Sequence, residues 1–155
     1  ECFVVMKKII CLFFVVMLVS TMAISGYSLD VGDNNPEIYV EYLSDGSYFI
    51  VEVNQAPTMG RSSGTSGNKR ATYYIDNDIP IYSVDVHGTF TYDGISATAD
   101  SASVTVYRYT SDASLDSKGA YTSGASAVGY AYVDYCSRTV YKSVTLTCSK
   151  DGKLS

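Results

Sequence analysis

The feature that most constrains the fold of this chain is the alternation of apolar or aromatic residues with polar ones. From Tyr82 to Tyr92, every second residue is apolar, aromatic or glycine, and the residues between them are Ser, Asp, His or Thr. Because side chains of a β-strand point alternately to the two faces of a sheet, this pattern indicates a strand with one face on a core. Residues 139–148 alternate in the same way, and no stretch after residue 25 has the 3.6-residue apolar period of a helix.

Composition supports the same fold class. All 15 tyrosines lie after residue 25, there is no tryptophan, and Val, Thr, Ser and Gly are frequent. β-Branched and aromatic residues are typical of strands. The sequence therefore predicts an all-β domain, an antiparallel β-sandwich or small barrel of about seven short strands, with a partly open meander as the alternative.

The clearest predicted hairpin spans residues 38–53 around Asp45-Gly46. This dipeptide is typical of a two-residue type I′ turn, in which both central residues have positive φ. Such a turn places Val40 opposite Val51 and Tyr42 opposite Phe49 on one wholly apolar face. The other face, with Tyr39, Glu41, Leu43, Tyr48, Ile50 and Glu52, is then mixed and lies at solvent or at a partner.

Further turn, bulge and loop signals divide the rest of the chain. Asp93-Gly94 predicts a second hairpin turn, and a change of alternation phase near Asp100-Ser101 predicts a β-bulge or a sheet-changing bend. Residues 54–70 are rich in Gly, Ser and Pro and are predicted to form a mobile loop. Residues 110–126 are interpreted as another Ser/Gly/Asp-rich connection.

The N-terminal segment has the features of an export signal. Met6-Lys7-Lys8 precedes an apolar run and a small-residue site, so residues 1–25 are predicted to be a signal peptide cleaved near Ser25. Residues 1–5 are interpreted as lying upstream of the true start. The run is shorter than the roughly 20 apolar residues of a membrane span, although an uncleaved anchor is the alternative. We therefore expect residues 26–155 to be a single secreted β domain without a membrane span.

The net charge of −5 limits the partners. An acidic chain without a basic stripe does not neutralise phosphates, so nucleic acids and anionic membranes are poor partners.

Several strings resemble uncharacterised secreted all-β proteins of Gram-positive gut bacteria. They are residues 86–94 (VHGTFTYDG), Ser96-Ala97-Thr98 and the ending VTLTCSKDGKLS of residues 144–155. The resemblance implies export and an all-β fold, and it carries no established activity. These relatives often have a cysteine directly after the "SAT" string, which the resemblance pairs with the equivalent of Cys148. This chain has Ala99 there, so the implied partner is absent.

After residue 25 the chain has two cysteines, Cys136 and Cys148. A continuous strand from Thr139 to Cys148 spans about 30 Å at roughly 3.3 Å per residue, whereas the Cα atoms of a disulfide lie within about 7 Å. We therefore expect two free thiols, or an intermolecular bridge through Cys136.

Two groups of residues have the types needed for catalysis. Ser83, Asp85 and His87 form a Ser/His/Asp set, but they are collinear on one predicted strand, without a nucleophile turn or an oxyanion hole. Glu41 and Glu52 have the predicted spacing of a carboxylate pair, but on an exposed hairpin without a cleft. We expect solvated polar faces at both places and no enzyme.

Metal ligands are also sparse. Asp76-Asn77-Asp78 and Asp30–Asp33 lack the full spacing of a calcium loop, and the former is better interpreted as a turn. With one histidine and two distant cysteines, a zinc site is not expected, nor is any other cofactor.

The remaining signal is an exposed aromatic surface, since Tyr and Ser together make adaptable contacts. Tyrosines that fill a small core and its rim are the alternative. The leading functional prediction is a secreted extracellular binding or structural module that contacts a cell-surface glycan or protein, and the alternative is a secreted bacteriocin-like antagonistic protein. The oligomeric state stays open. The predicted surface residues are Tyr39, Tyr48, Tyr107, Tyr109, Tyr130 and Tyr132.

Overall fold

The computed structural model describes residues 36–56, 63–75 and 78–155. Within these residues the chain forms eight β-strands. They are β1 (Glu37–Tyr42), β2 (Tyr48–Gln55), β3 (Gly64–Ile75), β4 (Ile79–Tyr92), β5 (Ala97–Arg108), β6 (Ala113–Ser123), β7 (Ser126–Tyr135) and β8 (Arg138–Thr147).

The strands form two antiparallel meanders. β1 to β5 make a five-stranded sheet in sequence order, and β6 to β8 make a three-stranded sheet. β6 packs near β5, β7 near β5 and β4, and β8 near β4 and β3. The predicted all-β sandwich is therefore confirmed, with eight strands instead of about seven and without a closed barrel among the described residues.

The core lies between the two sheets and follows the predicted alternation. Even-numbered residues from Tyr82 to Phe90 point inward from β4 and are buried, as are Val140, Val144 and Leu146 of β8. Gly129 of β7 lies directly opposite the core valines, because a Cβ built there would come within 2.4 Å of a Val86 methyl. The glycine thus allows the sheets to approach closely.

The first hairpin differs from the prediction by one residue. Its loop is Ser44-Asp45-Gly46, closed by hydrogen bonds from Leu43 N–H to Ser47 O and from Gly46 N–H to Leu43 O. Within this loop only Gly46 has positive φ, at 87°. The turn is therefore a type I turn with a glycine bulge instead of type I′.

The extra loop residue reverses the faces of β1. Val40 pairs with Ile50, and Tyr39 with Val51. Tyr39 and Glu41 therefore point to the core side, while Ile38, Val40 and Tyr42 point outward, because a shift of one residue moves every side chain of a strand to the other face. The faces predicted for β2 are correct.

Two segments predicted as loops contain strands. Residues 64–70 belong to β3, whose backbone pairs with both β2 and β4, and residues 113–123 form β6. The Gly and Ser residues of β3 bury little side chain, but hydrogen-bond ladders on both sides hold the strand. Gly67 has a further reason, since a Cβ there would come within 2.5 Å of the Leu154 side chain.

The predicted turn and bulge are confirmed. Residues 93–96 connect β4 to β5, and Asp93 accepts backbone hydrogen bonds from Ile95 (2.9 Å) and Ser96 (2.7 Å). Thr89 pairs with Ser101 and Phe90 with Ala99, so Asp100 is the extra residue of a bulge.

The cysteines differ from expectation in one respect. Cys148 is a buried free thiol, so it is not bonded to Cys136, as the strand length predicted. Cys136 is disulfide-bonded, and the expectation that its thiol is free is wrong.

Some predictions lie outside the described residues. These are the signal peptide at residues 1–25, Asp30–Asp33, residues 57–62 of the predicted loop, and Asp76-Asn77. Within the described ranges, no helix combines the length and apolar character that crossing a membrane requires.

Candidate binding surfaces

The outer face of the five-stranded sheet carries two groups of tyrosines, one on each side of β4. Tyr42, Tyr48 and Tyr74 are cross-strand neighbours on β1, β2 and β3. At the other side of β4, the backbone N–H of Tyr109 donates to Ile81 O, and Tyr107 pairs with Ser83. We name this set the outer tyrosine surface, and it consists of Tyr42, Tyr48, Tyr74, Tyr107 and Tyr109.

Ring geometry in this surface is specific. The rings of Tyr48 and Tyr74 are nearly parallel, with 5.2 Å between centroids and 8° between planes, and Tyr42 lies 5.7 Å from Tyr48. Because the stacked rings cover each other, they offer mainly edges and hydroxyl groups to a partner. Tyr42 is 78% exposed, Tyr107 47% and Tyr109 49%.

Polar partners hold several of these rings in place. The Tyr48 hydroxyl donates to the Asp78 carboxylate, and this bond raises the pKa of Tyr48 to about 12. The Tyr109 hydroxyl lies 3.1 Å from Ser83 Oγ. Such contacts restrict rotamers before any ligand binds, which lowers the entropy cost of binding.

A polar row borders the tyrosines on the same face. Arg70 donates to Asp85 from Nη2 (2.6 Å) and Nε (3.1 Å), and this hydrogen bonding raises the pKa of Arg70. Its guanidinium also lies 5.5 Å from the centroid of the Tyr107 ring. Asn68 donates to the other Asp85 oxygen at 2.8 Å. The face thus joins aromatic rings to an ordered set of donors and acceptors.

The residues considered for a Ser/His/Asp set do lie on this outer face of β4, but with other partners. Asp85 bonds to Arg70 and Asn68, and Ser83 bonds to Tyr109. Ser83 is fully buried, so the prediction of a solvated face is wrong there, because Tyr109 covers it. His87 is exposed.

The carboxylate pair is not on one face either. Glu52 points outward beside Arg70, whereas the register of β1 turns Glu41 toward the core side. There Glu41 accepts a hydrogen bond from Lys142 of β8. The predicted juxtaposition of the two glutamates is therefore wrong, because it rested on the two-residue turn.

Glu41 and Lys142 border a cleft of about 220 Å³ between β1 to β3 and β8. Tyr39 also lines it, with the Lys69 ammonium 5.5 Å from its ring centroid. Burial lowers the pKa of Lys69, and burial raises the pKa of Tyr39. The Lys142 ammonium lies 4.5 Å from the centroid of the Phe49 ring. The ion pair of Glu41 and Lys142 therefore covers the core at this edge.

The outer face of the three-stranded sheet carries a second tyrosine set. Tyr130 and Tyr132 of β7 contact each other at 6.3 Å with planes 80° apart, and Tyr132 lies 4.7 Å from Tyr141 of β8. Tyr121 of β6 is exposed on the adjacent strand.

The six predicted surface tyrosines are thus divided among three places. Tyr48, Tyr107 and Tyr109 lie on the outer tyrosine surface, Tyr130 and Tyr132 on the opposite outer face, and Tyr39 in the cleft. Sequence reasoning did not include Tyr42, Tyr74, Tyr121 and Tyr141 in the surface. Their placement depends on cross-strand register, which the alternation of a single strand does not reveal.

Among the described residues, no three side chains of His, Cys, Asp or Glu are grouped so as to hold a metal ion.

No family model matches the chain, and no curated protein matches it. Among solved structures, the chain is similar to lmo2686, a hypothetical protein of Listeria monocytogenes, with a TM-score of 0.44 and 13% sequence identity. The match covers 81% of this chain and 95% of that chain. A likeness of this degree supports no inference about function.

Proposed function

We propose that residues 26–155 form a secreted extracellular binding module of a bacterium, which contacts a cell-surface glycan or protein through the outer tyrosine surface. The N-terminal segment supports the export half of the proposal, through its basic start, short apolar run and small-residue site. No catalytic step is part of the proposal.

The observation that carries the proposal is the placement of five tyrosines on one outer face, in two groups on either side of β4, with three of them about half exposed or more. The exposed apolar residues Ile38 and Val40 extend this area. A contiguous exposed patch with a polar rim is typical of an interaction site. Tyrosine provides large contact area with few rotatable bonds, so ordering it costs little entropy.

The test is co-sedimentation of purified residues 26–155 with washed Gram-positive cells and with isolated cell walls. We expect saturable pelleting of the wild type. The double variant Tyr42→Ser and Tyr107→Ser removes two exposed rings. It should weaken binding about tenfold or more, since tyrosines that become buried in an interface are frequent hot spots.

Ile95→Ser is a matched control, because Ile95 is an exposed apolar residue in the β4–β5 turn, away from the tyrosines. Its binding should equal that of the wild type. Absence of pelleting with all samples would refute binding to these surfaces, and equal pelleting of the double variant would refute the assigned face. Export is tested by mass spectrometry of the secreted protein, which should begin near residue 26.

A further inference from the structure

The second tyrosine set differs in geometry from the outer tyrosine surface. In the register of the three-stranded sheet, Tyr130 lies between Gly119 of β6 and Ser143 of β8. A Cβ built on Gly119 would come within 2.6 Å of Tyr130 Oη, 2.7 Å of Cζ and 2.9 Å of Cε1. The phenol end of the ring therefore occupies the space above the glycine, and the ring reclines across β6 instead of standing upright.

Tyr132 stands against this reclining ring. The planes of Tyr130 and Tyr132 are 80° apart with centroids separated by 6.3 Å, and Tyr141 supports Tyr132 at 4.7 Å. Tyr132 is 38% exposed and Tyr141 52%. The three rings make a corner with Tyr130 as its floor and Tyr132 as its wall.

The in-register neighbours of this corner carry no charge. Tyr130 is flanked by Gly119 and Ser143, and Tyr132 by Ser117 and Tyr141. An uncharged aromatic floor beside hydroxyl groups complements a neutral ligand with one apolar face and a hydroxyl-bearing edge. A hexopyranose has this character, because its axial C–H groups meet the negative face of an aromatic ring while its hydroxyl groups hydrogen-bond at the rim.

We propose that the corner of Tyr130, Tyr132 and Tyr141 binds one ring of a neutral glycan whose hexopyranose units carry only equatorial substituents. Equatorial substitution leaves both faces of each ring flat, so that one face can lie on Tyr130. The proposal deepens the proposed function and rests on it, since it names the glycan chemistry that a cell-surface binding module would meet on its second face.

The test is titration of residues 26–155, labelled with ¹³C-tyrosine, with cellotetraose and with tetra-N-acetylchitotetraose, followed by NMR of the aromatic groups. We expect a saturable shift of Tyr130 and Tyr132 signals with at least one of the two probes. Tyr130→Ser should weaken binding about tenfold, which corresponds to the loss of one stacked ring. Tyr141→Ser, which removes an exposed ring, should weaken binding less. It keeps the proposal testable if Tyr130→Ser fails to fold.

Gly119→Ala is a second test, because its methyl group displaces the Tyr130 ring while the ring remains present. It should weaken binding by a similar factor. β-1,4-Galactotetraose, in which the C4 oxygen of each ring is axial, should bind more weakly than the equatorial probe.

Three outcomes would overturn the proposal: no saturable shift with either probe, unchanged affinity in Tyr130→Ser, or equal affinity for the galactose oligomer. The variant with Tyr42→Ser and Tyr107→Ser separates the two proposals. If that variant loses pelleting with cells but keeps the oligosaccharide shift, both assignments stand. If the wild-type protein pellets with cells but shows no shift with either oligosaccharide, glycan binding at Tyr130, Tyr132 and Tyr141 is refuted and the proposed function is not.

Discussion

Removal of one phenolic oxygen should have opposite effects at two positions of this fold. Tyr82 is fully buried, its ring 5.4 Å from Tyr73 and 6.2 Å from Phe49, and among the described residues its hydroxyl has no hydrogen-bond partner. A buried unpaired hydroxyl costs roughly 1–3 kcal/mol. Since Tyr82→Phe removes that cost and loses only the contacts of one atom, we expect a free energy of unfolding higher by about 1 kcal/mol.

Tyr109→Phe is the matched variant, because it removes the same atom from a paired site. The Tyr109 hydroxyl is 3.1 Å from Ser83 Oγ, which is fully buried and would be left without this partner. We expect a loss of about 1–2 kcal/mol, so the two variants should differ by about 2–3 kcal/mol. Urea unfolding followed by circular dichroism measures both. A loss of stability above about 1 kcal/mol in Tyr82→Phe would refute the assignment of an unpaired hydroxyl.

The pH dependence gives an independent check on Tyr82. Burial raises the pKa of Tyr82 well above its usual value. The folded state therefore keeps this proton at a pH where the unfolded state begins to lose it. The free energy of unfolding of the wild type is unaffected by ionisation of Tyr82 below about pH 10 and falls as the pH rises further. The advantage of Tyr82→Phe should grow by up to about 1.4 kcal/mol per pH unit above pH 10. A constant difference between pH 7 and pH 11 would contradict this reasoning.

Further predictions concern packing and the thiol. Leu154→Ala should cost about 2–4 kcal/mol in urea unfolding, because this buried side chain fills the space above Gly67; a change below about 0.5 kcal/mol would show that the contact is dispensable. Gly129→Ala should cost about 1–3 kcal/mol, since the new methyl group meets Val86 at 2.4 Å, and an unchanged melting temperature would contradict the close approach of the sheets. The Cys148 thiol should be alkylated by iodoacetamide only in denaturant, because burial protects it and raises its pKa; peptide mass mapping that finds Cys148 alkylated in the native protein would place it at the surface.

Strands with regular alternation could be predicted from the sequence, and the packing between strands could not. β4 has the predicted core residues because its apolar side is unbroken, and β8 has them although Lys142 interrupts its apolar side between Val140 and Val144. β3 and β6 escaped prediction for different reasons. β3 is held by ladders on both sides despite its Gly and Ser residues, and β6 is an edge strand that is mostly exposed on both faces, so burial leaves little period in its sequence.

The face of β1 depended on a distinction that the sequence leaves open. Asp45-Gly46 fits a two-residue turn and also the end of a three-residue loop with a glycine bulge, and the two differ by one residue in register. The side chain of Asp45 favours the second, because it accepts hydrogen bonds from Ser47 and from Arg138 of β8. The Arg138 contact spans 93 residues, which places it beyond local sequence reasoning.

The candidate surface was predicted in kind and only partly in membership. Tyrosine enrichment indicated exposed rings, but whether two rings share a surface depends on which strands become neighbours. Tyr74 joins Tyr48 through the pairing of β2 with β3, whereas the sequence predicts a mobile loop for residues 54–70 between them. Because the loop prediction hides the pairing of β2 with β3, Tyr74 is missing from the predicted surface.

Among the described residues, every strand of the two sheets pairs only with strands adjacent to it in the chain. Each pairing is thus a hairpin, whose closure costs little entropy, and the docking of one finished sheet on the other is the step that joins distant residues. In the export proposed above, this order would allow the strands to pair as they emerge from the membrane. The slow step should be sheet docking, so substitutions at Gly129, between the sheets, should retard folding more than substitutions in the β4–β5 turn.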